Sequence, residues 1–217
     1  MKILIPLMSI LLLSSFYSTI NGQSLRLKAG FSSSSNVVFL NNENYSSNFK
    51  KNPGFHIGAS IDVPLVNFLS FEPGLMYTTK GNRIESESYG NSYKSKFNLA
   101  YLQTNLNLKA IKNLKGALKI YVAAGPYFAY ALHGTNTQTT TENGITTSVS
   151  EDIKFSTKDN DKPNPIDLGV ELGGGFEYNS FLLEMGYDIG MKDISNDNSS
   201  NSSVKNRLLR VSLGYMF

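Results

Sequence analysis

From Leu25 to the carboxyl terminus the chain repeatedly alternates apolar residues with polar or small ones, and helical periodicity is hard to find. A period of two puts alternate side chains on opposite faces of a strand, so the pattern confines the chain to β structure. Leu25, Leu27, Ala29 and Phe31 share one face, as do Phe55, Ile57, Ala59, Ile61 and Val63. The same reading recurs at Leu69–Tyr77, Leu102–Leu108, Leu118–Leu132, Leu168–Tyr178, Leu183–Ile189 and Leu209–Phe217. These are eight strands. An even number suits a closed antiparallel barrel.

The connections sharpen the assignment. Segments 33–53, 80–96, 134–164 and 193–204 are long, whereas 64–67, 111–116 and 179–180 are short, and the two kinds alternate along the chain. Membrane β-barrels have that order, with short turns on one rim and longer loops on the other. Segments 32–35, 139–141 and 199–203, rich in Ser and Thr, are expected to be mobile loop tracts that bury nothing. No domain boundary is visible between 23 and 217.

A soluble eight-stranded barrel would bury the apolar face and wet the other. Here the other face carries Gly30, Gly58, Gly74, Ala123, Gly125, Gly169, Gly173, Gly175, Gly186 and Gly214. Glycine weakens a strand and gives a wet face nothing to present, but small residues suit a tight concave interior. The apolar face carries Phe68, Phe71, Tyr77, Tyr178, Phe181, Tyr187 and Tyr215 near strand ends, where membrane barrels keep aromatic girdles. The apolar face is read as outside, against lipid. Pro73 and Pro126 fall mid-strand, where each removes a ladder donor, and local bulges are expected beside Gly74 and Gly125.

Composition excludes several alternatives. The chain has 217 residues, no cysteine and a formal charge of +3, so disulfide frameworks, thiolate chemistry and a nucleic-acid partner drop out. Residues 1–22 have the form of an export signal: Lys2, an apolar run with Pro6 and Ser9, then small and polar residues up to Asn21-Gly22. The run is too short to span a bilayer as a helix.

Candidate chemistry is sparse. His56 and His133, the two histidines, are placed near the long-loop rim, and Ser60 lies about 13 Å from His56 along one strand, too far for an activated pair. Gly173-Gly174-Gly175 sits inside a strand and opens no helix, so it is not a phosphate loop. Acidic residues at 159–161 and 193–197 lack the order of a calcium loop. No catalytic residue, metal or cofactor is expected. The inward face instead gathers acids Asp62, Glu72, Glu171, Glu177, Glu184 and Asp188 with bases Arg26, Lys28, Lys109, Lys119 and Arg210. They read as a structural charge network, with Met76, Tyr121 and Tyr127 helping to fill the lumen.

The segment Pro64-Leu65-Val66-Asn67-Phe68-Leu69-Ser70-Phe71-Glu72-Pro73-Gly74-Leu75-Met76-Tyr77 resembles the second hairpin of the PorT-like, porin-family outer-membrane β-barrels of Bacteroidetes. Asp167-Leu168-Gly169, Gly173-Gly174-Gly175-Phe176-Glu177-Tyr178 and Leu183-Glu184-Met185-Gly186-Tyr187 are similar to its penultimate hairpin. Ala100-Tyr101-Leu102-Gln103-Thr104-Asn105-Leu106 resembles its fourth strand, with Gln103 and Asn105 departing from the usual pattern. The resemblance implies a transmembrane up-and-down barrel in the bacterial outer membrane, surrounded by its lipid, and supplies no catalytic residues. Tyr215 and Phe217 are similar to the terminal signal read by the barrel-assembly machinery. The expected function is non-enzymatic, through extracellular loops or a periplasmic partner that the sequence does not name. A lipid-modifying barrel enzyme and a narrow solute pore are the alternatives.

Overall fold

The computed structural model describes residues 22–41, 43–88, 90–159, 162–195 and 202–217. The export-signal segment lies outside the described residues except for Gly22. The chain forms β1 (Ser24–Leu40), β2 (Glu43–Asn44), β3 (Asn52–Val66), β4 (Leu69–Ser88), β5 (Asn91–Asn113), β6 (Leu118–Glu142), β7 (Ile145–Asp152), β8 (Ile166–Tyr178), β9 (Phe181–Gly190) and β10 (Ser203–Met216). Eight of them run in the order β10-β9-β8-β6-β5-β4-β3-β1, and β1 closes the ring on β10. That last ladder is antiparallel from Arg26 opposite Met216 to Phe39 opposite Ser203. The result is an up-and-down barrel in which the eight wall strands leave no open seam. The two extra strands lie outside the wall: β2 extends β1, and β7 extends β6.

Alternation settles which face points where. Leu27, Ile57, Leu108, Val122, Leu172, Phe176 and Leu213 are exposed. Their polar strand neighbours Arg26, His56, Lys109, Glu171 and Ser212 are buried. Such an arrangement is inverted for a protein in water, where ionic groups are rarely fully buried and apolar ones line the core. It is the arrangement that lipid imposes. Two aromatic belts bound the apolar zone. Phe181, Tyr215 and Phe217 stack edge to face at 5.5 and 4.9 Å near one rim, and Phe55 meets Tyr77 at 5.8 Å towards the other.

Short connections follow β3, β5 and β8 on one rim; the last of these is Asn179-Ser180, with Asn179 at φ 52°. The opposite rim differs from the sequence expectation. The segments 80–96 and 134–164 are not simple loops, because β4, β5 and β6 continue for 20, 23 and 25 residues and rise past the barrel as ribbons. A membrane strand needs only about 9–11 residues. At the top of β6, Asn143 and Gly144 take φ of 49° and 79° and turn the chain into β7. That is the primed turn favoured by an Asn-Gly pair.

The serine tract 32–35 likewise belongs to β1 rather than a loop, with Ser32 and Ser34 buried inside the barrel. Ser34 donates to the Gly81 carbonyl at 2.9 Å. Thr139–Thr141 lies within β6, and residues 199–201 of the third tract lie outside the described residues. The bulges expected at the prolines are absent. Pro73 stays in register with Leu106, and the β3–β4 ladder omits pairs beside it without shifting. Pro126 pairs in register with Val170, and the gap falls on the β5 side. Each ring therefore removes a hydrogen bond to one neighbour only. The register shifts occur at Pro64/Val66, beside a turn, and at Ala100/Tyr101.

Candidate functional site

The lumen holds the chemistry. Successive inward positions of neighbouring strands bring side chains from across the barrel into contact, so residues far apart in sequence meet there. Near the short-turn rim, Arg26 from β1 lies among three carboxylates. It pairs with Asp62, reaches Glu177 at 2.8 Å and Glu72 at 3.3 Å. Lys109 from β5 shares the group, at 2.8 Å from Asp62 and 2.7 Å from Glu177, and its ammonium lies 4.4 Å from the Tyr121 ring centroid. Lys28 then bridges Glu72 at 2.9 Å to Glu184 at 3.1 Å. Higher up, Arg210 holds Glu171 at 2.8 Å and Asp188 at 2.9 Å.

Ten of the eleven charged residues read from the sequence are joined in this way. Lys119 is not. It stands second in β6, exposed at the short-turn rim opposite Glu177, and no carboxylate lies within 4 Å of it among the described residues. At that height the lumen opens into a vestibule of about 630 Å³, so its ammonium stays in water.

Sequence reasoning missed the uppermost pair. Lys80 and Asp167, both fully buried, meet at 2.8 Å, and Lys80 lies 4.3 Å from the Tyr127 ring centroid. The segment 80–96, expected to be a loop, begins at Lys80. The signal was present, since Glu72, Gly74, Met76, Thr78 and Lys80 continue one inward series. The lumen then counts five cations, Arg26, Lys28, Lys80, Lys109 and Arg210, against the seven carboxylates named above. Neutral donors serve the excess. Gln103 donates to Asp188 at 2.8 Å, Tyr121 to Glu184 at 2.8 Å, Ser60 to Glu72 at 2.8 Å and Asn206 to Asp167 at 2.9 Å. Asn105 donates to Glu171. Gln103 and Asn105 are the two residues that depart from the resembled fourth-strand pattern.

His56 is not at the rim. It is buried in mid-barrel with Nε2 2.7 Å from the Ser212 hydroxyl. Its Nδ1 has no partner, so no third group orients the ring as a nucleophile's base requires. The pair faces the packed lumen, away from lipid. His133 is exposed, 4.0 Å from Asp152. Beside His56, Asn107 and Arg210 remains a cavity of about 20 Å³, room for about one water. At the long-ribbon end, Ile153 and Phe155 from the segment after β7 pack over Leu99, Tyr101 and Tyr127 and cap the lumen. Among the described residues no group of acids and histidines could hold a metal.

The family described as outer membrane protein beta-barrel domain matches residues 21–196. The chain belongs to that family. It is a protein of the bacterial outer membrane. No curated protein sequence matches it. Among solved structures, Neisserial surface protein A is similar at 15% identity and a TM-score of 0.44, over 91% of this chain and 98% of that one. OprG of Pseudomonas aeruginosa is similar at 14% and 0.42, over 89% and 95%. Ail, the attachment invasion locus protein of Yersinia pestis, solved with the heparin analogue sucrose octasulfate, is similar at 14% and 0.36, over 90% and 99%.

Proposed function

We propose that this barrel is a sealed, non-enzymatic outer-membrane scaffold that works through the ribbons on its long rim. The observation that carries the reading is three tiers of ion pairs stacked up the lumen: Arg26, Lys109 and Lys28 with their carboxylates, then Arg210 with Glu171 and Asp188, then Lys80 with Asp167. A strand wall of eight leaves an interior that side chains can fill, and here charge pairs fill it. The network is structural in this reading: it stabilises the wall from within and leaves no path for solute. The narrow-pore alternative requires those pairs to part. The enzyme alternative requires a reactive group facing lipid, whereas the His56–Ser212 pair faces the plug.

Both termini are periplasmic in this account, since an even number of wall strands returns the chain to its starting side. The long ribbons are then extracellular. The kinship is finer than the family, with the PorT-like barrels of Bacteroidetes, and is supported by the 64–77 and 167–187 hairpin motifs. Tyr215 and Phe217 serve as the mark read by the assembly machinery, and residues 1–22 as the export signal. Liposomes carrying the purified protein should not swell in arabinose, and protease added to whole cells should cut in the β6–β7 ribbon. Rapid swelling would replace the scaffold with a pore. Cleavage only after outer-membrane lysis would reverse the sidedness.

A further inference from the structure

A second charged feature lies on the outward side of the long rim. β4 and β5 pair Arg83 with Lys96 and Glu85 with Lys94, so all four side chains leave the side that, lower down, faces lipid. Lys50 joins them, exchanging backbone hydrogen bonds with Arg83 at 2.8 and 3.2 Å. Glu85 accepts from Lys50 Nζ at 2.9 Å and lies 3.4 Å from Arg83 Nε and 3.5 Å from Lys94 Nζ. Its carboxyl is held below the usual range, chiefly by the Lys50 hydrogen bond. Lys96 has no carboxylate within 4 Å among the described residues. Glu87, two positions nearer the tip, brings the balance to four cations against two carboxylates.

The strip continues as a row of hydroxyls. Lys96 lies opposite Thr137 and Lys94 opposite Thr139 on β6. Thr137 and Thr139 in turn meet Ser150 and Ser148 of β7 at 3.1 and 3.2 Å. Lower down, Asp152 lies 4.0 Å from the His133 ring and adds a third carboxylate to this side. The Arg83–Lys96 pair is six residues beyond the Tyr77–Leu102 pair at the aromatic belt. Six residues are about 20 Å along a strand, or about 15 Å in height at a tilt near 40°. A phospholipid headgroup region is only about 5–8 Å deep. Cations and hydroxyls at this height, turned sideways, stand beyond the phospholipid headgroups.

We propose that the strip Lys50–Arg83–Lys94–Lys96, with the Thr137 and Thr139 hydroxyls, binds the phosphorylated core saccharide of neighbouring lipopolysaccharide. The cations pair with phosphate, and the hydroxyl row exchanges hydrogen bonds with the sugar. The proposal rests on the long rim being extracellular, and the experiment separates the two. Purified full-length protein in detergent is titrated with fluorescently labelled rough-type lipopolysaccharide, before and after phosphatase treatment. The R83Q/K94Q/K96Q variant should bind about tenfold more weakly or worse, and 0.5 M NaCl should do the same to the wild type. Glu85→Gln should bind more tightly, because it removes the counter-charge. Lys96→Gln alone, which breaks no ion pair, should lose affinity several-fold and covers the case in which the triple variant misfolds. Unchanged affinity in a folded triple variant and in Lys96→Gln, or indifference to phosphate removal, would overturn the strip. Cleavage at the Asn143-Gly144 tip of the β6–β7 ribbon only after outer-membrane lysis would overturn the sidedness, whatever the binding in detergent.

Discussion

Arg26 illustrates how much one side chain carries in this lumen. It faces Asp62, Glu72 and Glu177, and its removal leaves Lys109 and the amine of Lys28 to serve them. Breaking a buried pair by deleting one partner costs about 3–5 kcal/mol, because the other charge is stranded. Arg26→Met should therefore lower the thermal unfolding temperature far more than Glu142→Gln at the ribbon tip, measured by heat-modifiable gel mobility. The outward face obeys a different rule. Leu172, exposed in mid-strand, should tolerate arginine poorly, at about 2–4 kcal/mol near the bilayer midplane, as read by urea titration in liposomes. The small inward residues are not equivalent either. A Cβ at Gly169 would lie 2.2 Å from the Ile189 carbonyl and against the Tyr127 ring, whereas at Gly173 its nearest neighbour is the Met185 carbonyl at 3.2 Å. Gly169→Ala should destabilise the barrel more than Gly173→Ala. Alternation alone marks both glycines as inward, and only the cross-strand geometry tells them apart.

At the scale of the element, legibility followed burial. The wall strands could be read because one face meets lipid and the other a narrow lumen, which forces a strict period of two. The upper parts of β4, β5 and β6 rise past the lipid, so polar residues are tolerated on their outward face and no apolar alternation marks them as strands. Serine in 32–35 was misleading for a related reason: on an inward strand position it is a compact lumen donor rather than a loop residue. The charge network was legible as a set of inward residues. Its pairing was not, since Arg26 and Glu177 meet across the barrel through closure rather than through sequence neighbourhood. One local signal did mark a ribbon. Asn143-Gly144 is the pair a two-residue primed turn requires, with both residues at positive φ. Gly144→Val should strain that turn and open β7 to protease, while heat-modifiable mobility shows the wall unchanged, because β8 pairs with β6 well below it.

The whole molecule turns a soluble protein inside out. Lipid replaces water around Leu27, Ile57, Leu108 and Phe176, and charge pairs replace an apolar core around Arg26, Lys109 and Arg210. Closure by β1–β10 removes the open edge that would otherwise expose backbone donors to hydrocarbon. The remaining question for such a barrel is whether its interior conducts. A vestibule opens at the short-turn rim, but above it the lumen narrows to a cavity of about 20 Å³ and then to the Lys80–Asp167 pair beneath Ile153 and Phe155. The most direct measurement is single-channel conductance of the purified wild type in a planar bilayer at neutral pH. The sealed-lumen account predicts no sustained open level. A stable open conductance in the wild type would contradict it and make the barrel a pore.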